Sequence, residues 1–168
     1  PEMTTSMPPG LTASTAMDAM THAIEAYVGT GCSPVSDIFA AGAVKLIFKN
    51  ILQATENGED LEARGSLLVA ANLAGTAFSH SMVGCVHGMA HATGALYHVP
   101  HGIANAILLT HGMEYNFDEI KEKLTKLAPF MGIEISGLSV EDSAKKTIEA
   151  VQSLTVKLNA MGALPLRL

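Results

Sequence analysis

Apolar residues recur at three- and four-residue intervals along nearly the whole chain, and no stretch alternates with the two-residue rhythm of a half-buried strand. Met17, Met20, Ile24 and Tyr27 form the first such stripe, with Asp18, His22 and Glu25 as a polar line beside it. Thr12, Ser14 and Thr15 are the N-cap candidates for this helix, which reaches about Val28. Pro1–Leu11 reads as an extended lead-in, because Pro8-Pro9-Gly10 is a poor helix start. Ser33-Pro34 then pairs an N-cap with proline at the first helical position. The helix it opens runs to about Ala54, with Ile38, Ala41, Val44, Ile47, Phe48 and Ile51 inward and Lys45 and Lys49 in solvent.

Asn57-Gly58 breaks the chain, and a third helix runs from near Glu59 or Asp60 to Ser79. Beyond Arg64 it is apolar nearly all round, which predicts a helix enclosed by others, with Asn72 as a core amide and Gly75 as a point of close packing. Ser81–Val86 leads into a helix carrying His87, Gly88 and His91, and Tyr97–Pro100 turns into another that opens at His101-Gly102. Phe117–Met131 is amphipathic, with Lys121, Lys123 and Lys126 as solvated charges and Gly132 as its stop. Ser139–Asp142 resembles a capping box at the head of a last helix to about Met161. The pattern predicts an all-α fold, one domain over residues 1–168, of roughly six or seven helices.

Composition narrows the class. A length of 168 residues suits one domain with its own core. The net charge of −6 and the lack of a basic cluster exclude a nucleic-acid partner. Histidines and glycines interrupt every apolar run before about 20 residues accumulate, so no membrane span is expected. The opening P-E-M-T-T-S-M-P-P-G has no secretory pattern, and a cytoplasmic chain is the expectation. It also lacks an initiator Met, as a processed chain or an excised fragment does. Cys32 and Cys85 make no metal-type pair; reduced, buried thiols are expected in preference to a bridge between them.

The chemistry concentrates in Val86–His101, V-H-G-M-A-H-A-T-G-A-L-Y-H-V-P-H, which holds four of the seven histidines. His87 and His91 stand four apart and share a helix face, as do Asp18 and His22. An aspartate and a histidine from one helix, with histidines from the later stretch, can surround one divalent ion. Taken singly, each histidine is better explained as a hydrogen-bonded core residue. The neighbourhood changes that weighting: between Arg64 and Glu114 there are six histidines and no Asp, Glu, Lys or Arg. An unsatisfied buried polar ring costs about 1–3 kcal/mol, so such a region needs hydrogen bonds, water or a metal.

The stretches T-A-S-T-A-M-D-A-M-T-H-A-I-E-A-Y and G-C-V-H-G-M-A-H-A-T-G-A-L-Y-H-V-P-H-G-I-A-N-A-I-L-L resemble the iron-containing (group III) alcohol dehydrogenases. S-P-V-S-D near residue 35 and L-E-A-R near residue 63 extend the likeness over almost the whole chain. The resemblance implies four metal ligands, which fall on Asp18, His22, His87 and His101. It places His91 outside the first shell, by the open side of the metal and the nicotinamide, with a proton-handling or cofactor-contact role. It implies Fe²⁺ or a substitute Zn²⁺ that polarises a substrate oxygen, and NAD or NADP as the hydride carrier. The expected partner is a small alcohol or aldehyde, and the full-length protein is expected to be a homo-oligomer.

The resemblance also sets limits. No run here reads as strand, glycine turn and helix, so the family's dinucleotide-binding half is expected to be absent. By the same resemblance, the stretch ending L-P-L-R-L is expected to stop short of the family's final helices. The expectation is a helical, metal-binding domain that binds a divalent ion but has no turnover alone. Two rival readings remain. One is a glycerol dehydrogenase-like or dehydroquinate synthase-like enzyme with Zn²⁺; the other is a non-catalytic bundle with structural histidines.

Overall fold

A computed structural model describes residues 1–168. It contains seven α-helices and no strand: α1 (Pro9–Val28), α2 (Pro34–Glu56), α3 (Leu61–Ser81), α4 (Cys85–Tyr97), α5 (His101–Tyr115), α6 (Phe117–Leu127) and α7 (Val140–Ala160). The all-α expectation is met, and most helix boundaries fall within a few residues of those read from the pattern.

The hub is α1, which touches α2, α3, α4, α5 and α6. Its small and flexible residues allow this. Ala13, Met17, Met20, Ala23 and Ala26 are fully buried, and together with Val44, Ile47 and Ile51 of α2 they form the centre of one continuous core. Leu109 of α5, Leu124 and Leu127 of α6 and Val151 and Leu158 of α7 complete it. The side of α1 that carries Asp18 and His22 meets α4 and α5, so the packing of one helix decides where three sets of polar side chains converge.

Several local expectations are corrected. Residues 1–11 are not an extended lead-in: Glu2–Thr4 form a 3-10 turn, and α1 begins at Pro9 with Pro8 as its N-cap. Proline at the first helical position loses no intrahelical bond, so Pro-Pro-Gly does start this helix. Thr12, Ser14 and Thr15 therefore lie inside it; the Ser14 and Thr15 hydroxyls donate back to the Leu11 carbonyl. The Ser33 cap is as read, and it makes a reciprocal capping box with Ser36.

Ile38 is 72% exposed because it lies in line with Lys45 and Lys49 rather than with the buried stripe. Helix α3 is covered by α1 and α2 on one side, which leaves Leu68, Val69 and Asn72 exposed, and a Cβ at Gly75 would meet nothing within 4 Å. Pro129 ends α6 early, and Ala128–Met131 continue as a 3-10 turn before Gly132 at φ +74°. Lys123 is no solvated charge: it donates to Asp37 at 2.7 Å and its ammonium lies 4.9 Å from the centre of the Tyr27 ring. Both cysteines are free thiols, Cys32 half-buried and Cys85 exposed. No single helix is long and apolar enough to cross a membrane; α3 and α4 reach that composition only as a pair bent by 104°.

Candidate metal centre

Asp18 and His22 stand one turn apart on α1, His87 lies in the first turn of α4, and His101 opens α5. One ligand atom from each lies within 4.8 Å of those from the other three. His101 Nε2 is 3.2 Å from Asp18 Oδ1, His22 Nε2 is 3.5 Å from Asp18 Oδ2, and His87 Nε2 is 3.7 Å from Asp18 Oδ1. Asp18 is thus the centre of the group, with the three imidazoles arranged around its carboxyl.

Ring packing fixes the orientation. His22 is sandwiched between Phe78, at 4.2 Å between ring centres, and His87, at 4.0 Å. The His87 ring is almost wholly buried, and its Nε2, like Nδ1 of His22, has no hydrogen-bond partner. His91 lies one helical turn beyond His87, exposed, and stacks on His101 with ring centres 5.2 Å apart. It borders the cluster from the solvent side.

Two residues outside the sequence-derived set complete the surroundings. Glu25 is a buried carboxyl, 5% exposed, whose Oε2 lies 2.6 Å from His87 Nδ1 and whose Oε1 accepts from the Val86 amide at 2.7 Å. The fully buried Asn105 donates from Nδ2 to Asp18 Oδ1 at 2.6 Å, and the same nitrogen is 3.0 Å from His101 Nε2. Both carried a signal of spacing. Glu25 continues the line of Asp18 and His22 seven residues on, and Asn105 stands four after His101. Charge and amide at those positions are common on helices, which is why spacing alone gave them no role.

The electrostatics follow from burial and pairing. Burial pushes the Asp18 carboxyl up, but hydrogen bonds from His22 and Asn105 and the charges of His22 and His101 together outweigh it and hold it below the usual carboxylate range. Glu25 shows the same balance: burial raises it, and His87 with the Gly84 and Val86 amides brings it below its ordinary value. His101 is lowered, chiefly by burial and by the neighbouring histidines, against the pull of Asp18. The site therefore favours an ionised Asp18 beside a His101 ring whose neutral form is favoured, donors that borderline divalent ions take. A cavity of about 590 Å³ between α1, α4 and α5 borders Glu25, Cys85 and Asn116, and none of the four clustered residues lines it.

A profile described as the Fe-containing alcohol dehydrogenase family, C-terminal, matches residues 12–165. The 1,3-propanediol dehydrogenase of Klebsiella pneumoniae is 46% identical over 151 residues, which cover 90% of this chain and 39% of that protein. The chain thus spans about two fifths of that relative's length. An alcohol dehydrogenase from Oenococcus oeni has the same fold at a TM-score of 0.91 and 38% identity, over 96% of this chain and 41% of that one. The sulfoacetaldehyde reductase of Bifidobacterium kashiwanohense, solved in complex with NAD+, matches at 0.83 and 30% identity, over 94% of this chain and 40% of that one. A profile match over nearly the whole chain, relatives well above 30% identity and a shared helical fold lead to one conclusion: the chain belongs to the iron-containing alcohol dehydrogenase family and corresponds to that family's C-terminal region.

Proposed function

We propose that Asp18, His22, His87 and His101 hold one divalent ion, Fe²⁺ or Zn²⁺ in its place, and that the family-length protein interconverts an alcohol with an aldehyde or ketone using NAD or NADP. The observation that carries the proposal is the buried Nε2 of His87, which has no hydrogen-bond partner and stands 3.7 Å from a carboxylate oxygen. An unpaired buried nitrogen is costly, and a cation at the centre of the group satisfies it.

The donor set fits such an ion in number and in spacing. The histidine nitrogens stand 3.2 and 3.7 Å from Asp18 Oδ1 and 3.5 Å from Oδ2, and one donor atom from each of the four residues lies within 4.8 Å of the others. When bound, the ion supplies Lewis-acid stabilisation of negative charge on a substrate oxygen, and the nicotinamide supplies or accepts the hydride. The chain's own residues do the rest. Phe78 and the stacked rings of His22 and His87 exclude water from the closed side. Asn105 holds the Asp18 carboxylate in place. His91, exposed beside His101, is proposed to take up or deliver the proton on the open side.

For this chain alone the proposal is one bound divalent ion and no dehydrogenase turnover. The relatives' names, 1,3-propanediol dehydrogenase and sulfoacetaldehyde reductase, support a short, polar substrate. The test is nicotinamide reduction by the family-length protein loaded with Fe²⁺, against a panel of short alcohols and diols. Alcohol-dependent turnover that falls by about 10²-fold or more in His101→Ala supports the reading. No turnover with any alcohol and either nucleotide contradicts it.

A further inference from the structure

We propose that Glu25 is a positioning residue that keeps the proton of His87 on Nδ1, and so leaves Nε2 bare and turned toward Asp18. This rests on the metal reading above and adds a residue to it. Glu25 Oε2 lies 2.6 Å from His87 Nδ1, with both side chains buried. An ionised carboxylate only accepts, so the proton in that contact sits on the imidazole nitrogen. A neutral imidazole carries a single proton, which leaves the Nε2 lone pair facing the centre of the cluster.

The carboxylate is itself immobilised. Its Oε1 accepts from the Val86 amide at 2.7 Å, and Oε2 is also 3.4 Å from the His87 amide. These are first-turn amides of α4, which have no carbonyl partner within their own helix and favour a negative charge. A Cβ at Gly84 would lie 2.7 Å from Oε1, so glycine just before α4 leaves room for the carboxylate. Glu25 therefore ties α1 to the start of α4 and sets the ring plane of His87 in one arrangement. Partners of this kind behind a metal-binding imidazole orient the ring and raise its basicity.

Glu25→Gln separates positioning from simple helix capping. Glutamine offers one acceptor oxygen where glutamate offers two. If that oxygen takes the Val86 amide, the NH2 group faces His87 Nδ1, which can accept only by moving its proton to Nε2. The proton then occupies the position an ion needs.

The experiment is ¹⁵N-histidine NMR of the metal-free chain together with Zn²⁺ affinity measured against a chromophoric chelator, for wild type and Glu25→Gln. The His87 signals are assigned by their loss in His87→Gln. The expected result is an Nδ1–H ring in wild type, an Nε2–H ring in Glu25→Gln, and Zn²⁺ affinity weaker by about 10–100-fold in the variant. An Nε2–H ring in wild type, or affinity in the variant within about twofold of wild type, overturns the proposal. If Glu25→Gln does not fold, the wild-type spectrum decides alone: Nδ1–H upholds the proposal and Nε2–H overturns it. If wild type binds no Zn²⁺, the metal reading falls, and the His87 spectrum still decides for or against Glu25.

Discussion

Asn105 Nδ2 donates to Asp18 Oδ1 at 2.6 Å, joining the second turn of α5 to the middle of α1 at the centre of the cluster. Asn105 is fully buried, yet its Oδ1 has no partner. Its amide is thus half satisfied, and the satisfied half points at the acid. Asn105→Leu removes the good bond and the orphaned acceptor together. Its expected stability change is within about 1 kcal/mol, because the two losses offset. Zn²⁺ affinity is expected to weaken about tenfold as Asp18 loses its hold. Urea unfolding and chelator competition measure the two; unchanged affinity would remove Asn105 from the site.

Gly102 sets the distance between α5 and α1. A Cβ there would collide with the backbone carbonyl of Ser14. His101 is the adjacent residue, so Gly102→Ala must move a cluster member away from Asp18. The expected cost is about 1–3 kcal/mol, with Zn²⁺ affinity falling by more than about tenfold. Gly88→Ala is the control, because a Cβ at Gly88 meets nothing within 4 Å. It should be neutral or add a few tenths of a kcal/mol, up to about 1 kcal/mol. Equal behaviour of the two variants would contradict the packing argument.

Arg64 is a buried cation on α3 with no acid beside it. It donates to the carbonyls of Gly58 and Met7 at 2.8 and 3.0 Å and to the Thr12 hydroxyl at 2.6 Å. It ties the N-terminal segment and α1 to α3. Arg64→Met should cost about 2–3 kcal/mol in chemical unfolding, since three acceptors lose their donor. Zn²⁺ affinity should hold, because the anchor lies away from the cluster. A stability change below about 0.5 kcal/mol would show that water replaces the guanidinium freely.

Glu25 gives a pH dependence with a definite sign. Its carboxyl is lower in the folded chain than the ordinary value of 4.5. A group shifted down stabilises the fold fully above its unfolded pKa, and that contribution disappears as pH falls through the folded value. The stability gap between wild type and Glu25→Gln, both metal-free, should therefore narrow as pH drops from about 5 to about 3. Urea unfolding at stepped pH measures it. A gap that stays constant or widens on acidification would contradict the buried carboxylate.

The helical class was legible because it rests on spacing; spacing also offered an acid and histidines around one ion, whereas the set Asp18, His22, His87 and His101 was what the family resemblance implied. Asp18 and His22 are fixed by one helix, and the long histidine stretch has a composition that few folds explain. What spacing could not show was burial. Spacing sets Glu25 only in a polar line on the first helix; its partners, the Val86 amide and His87, come from α4. Asn105 lay in an apolar run with nothing to mark its partner on α1. The same gap explains the errors on α3, where an almost uniformly apolar pattern implied enclosure. Leu68 and Val69 are exposed because α1 and α2 cover only one side. The start of α1 was misplaced because a proline pair was read as a barrier, when its second member takes the first helical position.

The central claim is that an acid and three imidazoles share one ion. It is tested by elemental analysis of the chain purified without chelator and without a histidine tag, alongside His87→Ala. About one equivalent of iron or zinc is expected per wild-type chain, and less than about a tenth in a folded His87→Ala. Metal-free wild type that takes up neither ion on addition, or a variant that retains a full equivalent, would contradict it.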